Sequence, residues 1–318
     1  MKIIALVVLC LAIAASGSRI ALPGADAAEI TVEKSEHGAA VKIDGKLFTE
    51  YVTRSGTKPI LWPVIGPTGK AMTRSWPMNA DAPPSEKRDH PHHRSFWFTH
   101  GEVNGVDFWS ESNKAGRIVH REFAKIESKP TPTIVAINDW QDREGKKICE
   151  ERQTIAFGAD DDRRWIDFTT AVTATEGPLT FGDTKEGSFG VRVAGTMKVD
   201  AKLGGKIVNS EGQTNDGAWG KPAAWVDYYG PVEGETLGIA ILDHPSNFRH
   251  PTTWHVRTYG LFAANPFGQH DFAGGDKNVD GKHTIGKGET LTLRYRVLLH
   301  KGDEKQGRVA EAFEAFKK

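Results

Sequence analysis

The sequence predicts an all-β protein, a large antiparallel β-sandwich with one short C-terminal helix. Three observations carry that expectation. From Glu29 onward, short apolar or alternating runs are broken by Gly, Pro, Asn and Asp at the spacing of a large sandwich. Helical periodicity is confined to the tail. Neither an internal repeat nor a low-complexity linker interrupts the chain, so residues 28–318 are expected to fold as one domain.

The elements follow in order. Met1-Lys2 and the apolar run Ile3 to Ala15 precede Ala25-Asp26-Ala27, a small-x-small pattern. The run is about 13 residues long, short of the roughly 20 that cross a bilayer, so residues 1–27 read as a signal peptide removed on export to the periplasm or beyond. Asp44-Gly45 between Val41-Lys42-Ile43 and Lys46-Leu47-Phe48 signals a tight hairpin, because both residues accept the positive φ such turns need. Between Lys58 and Asp89 the chain is rich in Pro and Gly, with Pro83-Pro84 barring a regular ladder. An irregular loop of that length usually builds a site.

Further strands are expected at Ile118–Ile126, Thr133–Ile137, Lys147–Phe157 and Trp165–Thr173, then at Ser188–Val199, Ala223–Tyr229, Thr236–Leu242, Trp254–Ala263 and Thr290–Leu299. Within Gln306–Lys318, Val309, Phe313 and Phe316 recur at helical spacing and form one apolar stripe able to cap a sheet.

Composition excludes several classes. Lys+Arg and Asp+Glu are balanced at 41 each, so no basic field invites nucleic acid. No segment after the leader is long and apolar enough to span a membrane. Once the leader with Cys10 is removed, Cys149 is the remaining cysteine, and one thiol closes no internal disulfide. Oligomeric state is not set by any of these features.

Eight of the 12 histidines fall in two windows, His90, His92, His93 and His100 in one, His244, His250, His255 and His270 in the other. Imidazole suits proton transfer near neutral pH and transition-metal binding. His90, His92, His93, Glu186 and His255 are therefore the candidate catalytic groups. On a strand, His90 and His92 would share a face and His93 would oppose them, which makes His90 and His92 the candidate pair for one divalent metal ion. Asp89 and Arg94 flank the triplet, and Arg94, His100 and Trp109 are candidate substrate contacts.

The segment Gly182–Arg192 sets two carboxylates and two cations on a glycine-flexed stretch. Glu186 is its candidate base, Asp183 a polar contact and Arg192 a clamp for a carboxylate or sugar oxygens. Asp243–Asn247 is a polar burst ending an apolar strand, so His244 and Asn247 join the substrate-binding set. In Trp254–Tyr259 alternation puts His255 and Arg257 on one face. Most tryptophans are expected in the core, whereas Trp219 stands in loop-like sequence and could face a sugar ring. Asp276–Gly281 matches half a calcium loop, but Lys287 stands where its bidentate Glu belongs, so a plain turn is expected.

Several motifs together resemble one bacterial exported family. They are Gly66-Pro67-Thr68-Gly69, His90-Pro91-His92-His93-Arg94-Ser95, His100-Gly101, Asn104 to Trp109, Asp183 to Gly187, Trp254 to Gly260 and Asn265-Pro266-Phe267-Gly268. The family is catalogued as methane oxygenase PmoA, elsewhere as a domain of unknown function, and the resemblance covers nearly all of the chain after the leader. It is distinct from the membrane methane monooxygenase subunit, which needs several apolar spans. The strand count and histidine-lined face are also similar to the galactose-mutarotase type of supersandwich, whose enzymes use His and Glu as acid and base. Asn265 enters the substrate-binding set through the last motif.

Three functions follow. The leading one is an exported carbohydrate-active enzyme (hydrolase, lyase or epimerase) acting on a sugar or glycan by His/Glu acid–base chemistry, with a divalent metal as a possible aid. The others are a metal-dependent oxygenase, with a ligand set from His90, His92 and Glu186, and a non-catalytic glycan-binding protein.

Overall fold

The computed structural model describes residues 28–84 and 86–318, and the leader read from residues 1–27 lies outside them. In chain order the strands are β1 (Ile30–Lys34), β2 (Gly38–Ile43), β3 (Lys46–Ser55), β4 (Lys58–Leu61), β5 (Phe96–His100), β6 (Arg117–Glu127), β7 (Thr133–Gln141), β8 (Lys147–Ala159) and β9 (Arg163–Thr173). They continue with β10 (Leu179–Phe181), β11 (Gly187–Arg192), β12 (Lys206–Asn209), β13 (Trp225–Val232), β14 (Glu235–Asp243), β15 (Trp254–Val256), β16 (Leu261–Ala264), β17 (His283–Ile285) and β18 (Thr290–Lys301). Two α-helices, α1 (Gln269–Phe272) and α2 (Val309–Phe316), complete the fold.

The strands form two eight-stranded antiparallel sheets and one two-stranded sheet. Sheet one runs β1-β2-β3-β4-β5-β11-β16-β15; sheet two runs β12-β13-β14-β18-β9-β8-β7-β6. Their facing sides interdigitate in one core, through contacts such as Phe96 on Phe168 at 5.6 Å and Phe189 on Tyr295 at 4.6 Å. The antiparallel all-β expectation is met. Trp140 and Trp254 are fully buried, as expected for core tryptophans. At the tail, Val309, Phe313 and Phe316 of α2 cover Ala240, Leu242 and Leu298 on the outer face of sheet two, the capping role that their spacing predicts.

Three local expectations are corrected. Residues 86–95 are irregular, and His90 sits at φ 46, so no strand parity orders the histidine triplet. The strand expected over Ser188–Val199 ends at Arg192. The one expected over Trp254–Ala263 is two strands separated by a turn in which Gly260 takes φ +103. Among the described residues no helix is long and apolar enough to cross a membrane.

Candidate active site

Pleat geometry places the site. Strands alternate their side chains between faces, so β5 sends Phe96 and Phe98 into the core and Trp97 to the opposite side of sheet one. Trp97 pairs with Gly190, Gly190 with Ala263, and Ala263 with His255. These four form one row across β5, β11, β16 and β15. Its two middle members are the smallest residues available, so the Trp97 indole lies back across Gly190 and the row forms a low floor with the His255 imidazole at its other side. A Cβ on Gly190 would stand 2.6 Å from the Trp97 ring. Three strand spacings separate Trp97 from His255, roughly 14 Å.

Above this floor lies a cleft of about 560 Å³, lined by His90, His92, His93, Asp107, Trp109, Glu186, His255, Arg257 and Tyr259, among others. One histidine from the second window thus meets three from the first, with the proposed Glu and one tryptophan in the same wall. The three loop histidines pack on one another and on the floor. His93 stacks on Trp97 at 5.5 Å and on His90 at 4.9 Å; His90 stacks on Tyr259 at 5.2 Å.

Arg74 holds that loop. Its buried guanidinium donates to the backbone carbonyls of Lys87, Asp89, His90 and His93 and to Asp89 Oδ1 at 2.8–3.2 Å. The left-handed backbone at His90 costs about 1–2 kcal/mol for an L-residue. It turns the His90 carbonyl to Arg74 Nη2, and that bond offsets part of the cost. Asp89 Oδ1 accepts from Arg192 as well as Arg74. Burial alone would raise the Asp89 carboxyl, but Arg192, His90 and Arg74 together hold it below the usual carboxylate range.

Two imidazoles emerge with opposite polarity. Arg192 Nη1 donates to His93 Nδ1 at 3.1 Å, and a guanidinium only donates, so the His93 proton resides on Nε2. That Nε2 is buried and has no partner among the described residues. His255 is the reverse: its Nδ1–H donates to the Lys185 carbonyl at 2.7 Å, leaving Nε2 as the basic nitrogen. Burial keeps both neutral. It pulls His93 well below its ordinary value, and it pulls His255 down to about 4 against the opposing charge of Glu186. His92 is likewise drawn down to about 4, chiefly by burial and then by Lys58.

The loop that anchors His255 is fixed from below. Asn265 Nδ2 donates to the Thr184 carbonyl, and Asp271 accepts from the Lys185 amide. Gly101 permits close approach, since a Cβ there would come within 2.7 Å of the Glu186 carbonyl. Glu186 pairs with Lys185 at 3.2 Å.

Other candidates fall outside the cleft or behind its wall. Arg192 is 3% exposed and engaged by Asp89 and His93, so it supports His93 and does not clamp substrate. Arg94 is spent on Glu111 and Ser55. His100 is fully buried, donating from Nε2 to the Gly182 carbonyl and accepting at Nδ1 from Ser188. Asp183 accepts from the amides of His270 and Gly281 and so ties loops together. Asn247 is buried against Asp243 and the Arg294 carbonyl, while His244 bonds Ser246 and packs on Phe316 of α2, beside sheet two. Trp219 stands beside the cleft, its ring 6.5 Å from His255.

Sequence reasoning passed over Arg74, Asp107 and Tyr259. Tyr259 follows Arg257 at the alternation already recognised, and that signal could have found it. Nothing local marks Arg74, because most of its partners are backbone carbonyls. Asp107 is committed to a turn, accepting from the amides of Trp109 and Ser110 and from the Ser110 hydroxyl.

The donor set does not suit a metal ion. Among the described residues no three His, Cys, Asp or Glu side chains converge as ligands. The His93 nitrogen facing no protein group carries a proton, and the His90 and His92 rings meet edge to face at 5.8 Å. The expected three-ligand set of His90, His92 and Glu186 is therefore not assembled in this structure.

In sequence, no curated protein matches the chain. In structure it is similar to a protein of Escherichia coli K12 assigned as an aldose 1-epimerase, at 11% identity and a TM-score of 0.36, covering 86% of this chain and 100% of the other. It is also similar to an α-galactosidase of Lactobacillus brevis (9%, TM-score 0.38, 87% of this chain and 40% of that one). A third similarity is to a galactose mutarotase-like protein of Lactobacillus casei (11%, TM-score 0.33, 85% and 100%). At that depth the likenesses concern the course of the chain and say nothing of the reaction. The model of a family of unknown function, DUF6807, matches residues 38–314; its description carries no oxygenase activity, and the protein belongs to that family.

Proposed function

We propose that the cleft is the active site of a carbohydrate-active enzyme that moves protons on a sugar, as an epimerase, mutarotase or lyase does. The observation that carries this reading is the pair of neutral imidazoles at one cleft, His255 with a bare Nε2 and His93 with its proton on a buried, unpartnered Nε2. A general base and a general acid, both uncharged at neutral pH, are what proton abstraction at one atom and donation at another require. Exposed His90 and half-buried Tyr259 are the aromatic groups that the apolar side of a pyranose would meet in the cleft wall. Glu186 lies beside His255 and favours the imidazolium that forms when the base takes its proton.

Glycoside hydrolysis is the less favoured chemistry. It ordinarily uses two carboxyl groups flanking the bond, and of the carboxylates lining the cleft Asp107 has both oxygens occupied by its own turn. The leader read from residues 1–27 places the reaction outside the cytoplasm in this proposal.

The test is a panel of free aldoses, oligosaccharides and uronate-containing polysaccharides. Anomer or epimer exchange is followed by NMR, and elimination by the ultraviolet absorbance of the unsaturated product. Conversion by the wild type that disappears in His255→Ala and in His93→Phe supports the proposal. Full activity in the double variant, or no turnover on any class, overturns it; binding without turnover would mark a glycan-binding protein instead.

A further inference from the structure

Of the two Lys and Arg side chains that line the cleft, Lys185 has a carboxylate partner and Arg257 has none. Asp89 answers both Arg74 and Arg192, Glu111 answers both Lys58 and Arg94, and Glu186 answers Lys185. Asp107 is occupied by the amides and hydroxyl of its own turn. Arg257 lines the same cleft, half-buried, and among the described residues its guanidinium has neither a carboxylate within ion-pair distance nor a hydrogen-bond acceptor. It is held by ring faces instead, 5.7 Å from the Trp219 centroid and 5.8 Å from that of Tyr259.

A guanidinium held by aromatic faces keeps its N–H edge available, and that edge matches the paired oxygens of a carboxylate, sulfate or phosphate. Partial burial makes leaving it unpaired costly, and an anion arriving there recovers the lost interaction. Arg257 follows His255 by two residues, so the cation stands next to the proposed base. We infer that the sugar accepted by the cleft carries an acidic substituent and that Arg257 receives it.

This rests on reading the cleft as a sugar site, so the experiment separates the two claims. Affinities of the wild-type protein are measured by calorimetry for matched neutral, uronic, sulfated and phosphorylated forms of the same sugars, at low and high salt. The expected result is tighter binding of one acidic form than of its neutral parent, weakening as salt rises. Arg257→Gln should reduce that acidic affinity on the order of ten- to a hundredfold and reduce the affinity for the neutral parent by a much smaller factor. Arg257→Lys should recover only part of the loss, because it restores the charge without the fork. Thermal melts of both variants establish that they fold. The acidic form that binds best identifies the substituent. Equal affinity for neutral and acidic forms, or an acidic preference untouched by Arg257→Gln, overturns the inference while the sugar reading stands. If no sugar of any charge binds, both fall.

Discussion

At the scale of single residues, the chemistry depends on where two protons sit. His93 is fixed by Arg192, whose two nitrogens are divided between His93 and Asp89. Replacing Arg192 with Met removes both bonds and leaves Asp89 with Arg74 and His90. The expected outcome is a mixed His93 tautomer, visible in imidazole ¹⁵N shifts, together with a stability loss of about 2–4 kcal/mol from the broken buried pair. Turnover should fall through kcat more than through KM, since His93 is asked to donate a proton and not to hold the sugar. An unchanged nitrogen spectrum would refute the assignment. His255 gives a second expectation. It works as the neutral base, and burial pulls it down to about 4 from the ordinary 6.5. Its neutral form therefore persists as pH falls from 7 to 5 and is lost near 4. The acidic limb of the rate profile should lie near pH 4; a limb near 6.5 would mean that a solvated histidine is the base. The grouping of His90, His92 and His93 and their convergence with Glu186 and His255 were legible in the sequence, because clustering of a scarce residue type survives any local geometry. The relative facing of the three rings was not, since the parity argument assumed a strand where Arg74 bends the chain into a loop.

At the scale of elements, the floor row is the decisive device. Trp97, Gly190, Ala263 and His255 come from four strands, and Gly190 in the middle makes room for the Trp97 indole that carries His93. Gly190→Ala should therefore be costly although alanine is compatible with a strand. Its Cβ meets the Trp97 ring at 2.6 Å, and Trp97 carries His93. A loss of about 1–3 kcal/mol in denaturant-derived stability is expected from overpacking, accompanied by reduced turnover as the indole and its stacked imidazole shift. Gly177, with nothing near its would-be Cβ, serves as control: Gly177→Ala should stay within about 0.5 kcal/mol of wild type. Equal effects at the two sites would remove the floor argument. Strands with clean two-residue alternation, such as β8 and β9, were readable from the sequence to within a few residues. The row was not, because register across β5, β11, β16 and β15 is set by pairing between segments as distant in sequence as Trp97 and Gly190. β4 was hidden for a different reason: it is four residues long and contains Pro59.

At the scale of the whole molecule, buried histidines make stability depend on pH in two directions. His100 is fully buried and drawn down to about 4 by burial, and His255 behaves alike. In the unfolded chain both bind a proton near pH 6.5, whereas in the folded chain they resist it until about 4. Across that window the unfolded state holds more protons, so acidification favours unfolding, by up to about 1.4 kcal/mol per pH unit for each such imidazole. His300 has the opposite sign. Its Nε2–H donates to buried Asp227 and its Nδ1–H to the Lys301 carbonyl, and these partners outweigh burial and raise it. Its contribution is complete below 6.5 and fades as pH rises through the elevated value. With His92 and His93 also drawn down, the depressed imidazoles outweigh the raised one below neutrality, so the denaturation midpoint should fall steadily from pH 6.5 to 4 and vary less above 7. His100→Gln, which keeps a donor and an acceptor without a titrating ring, should flatten the acid slope by about 1.4 kcal/mol per pH unit and leave the alkaline side unchanged. A midpoint constant between pH 7 and 5, or an acid slope in the variant equal to that of wild type, would show that the buried histidines do not govern the acid stability of this fold.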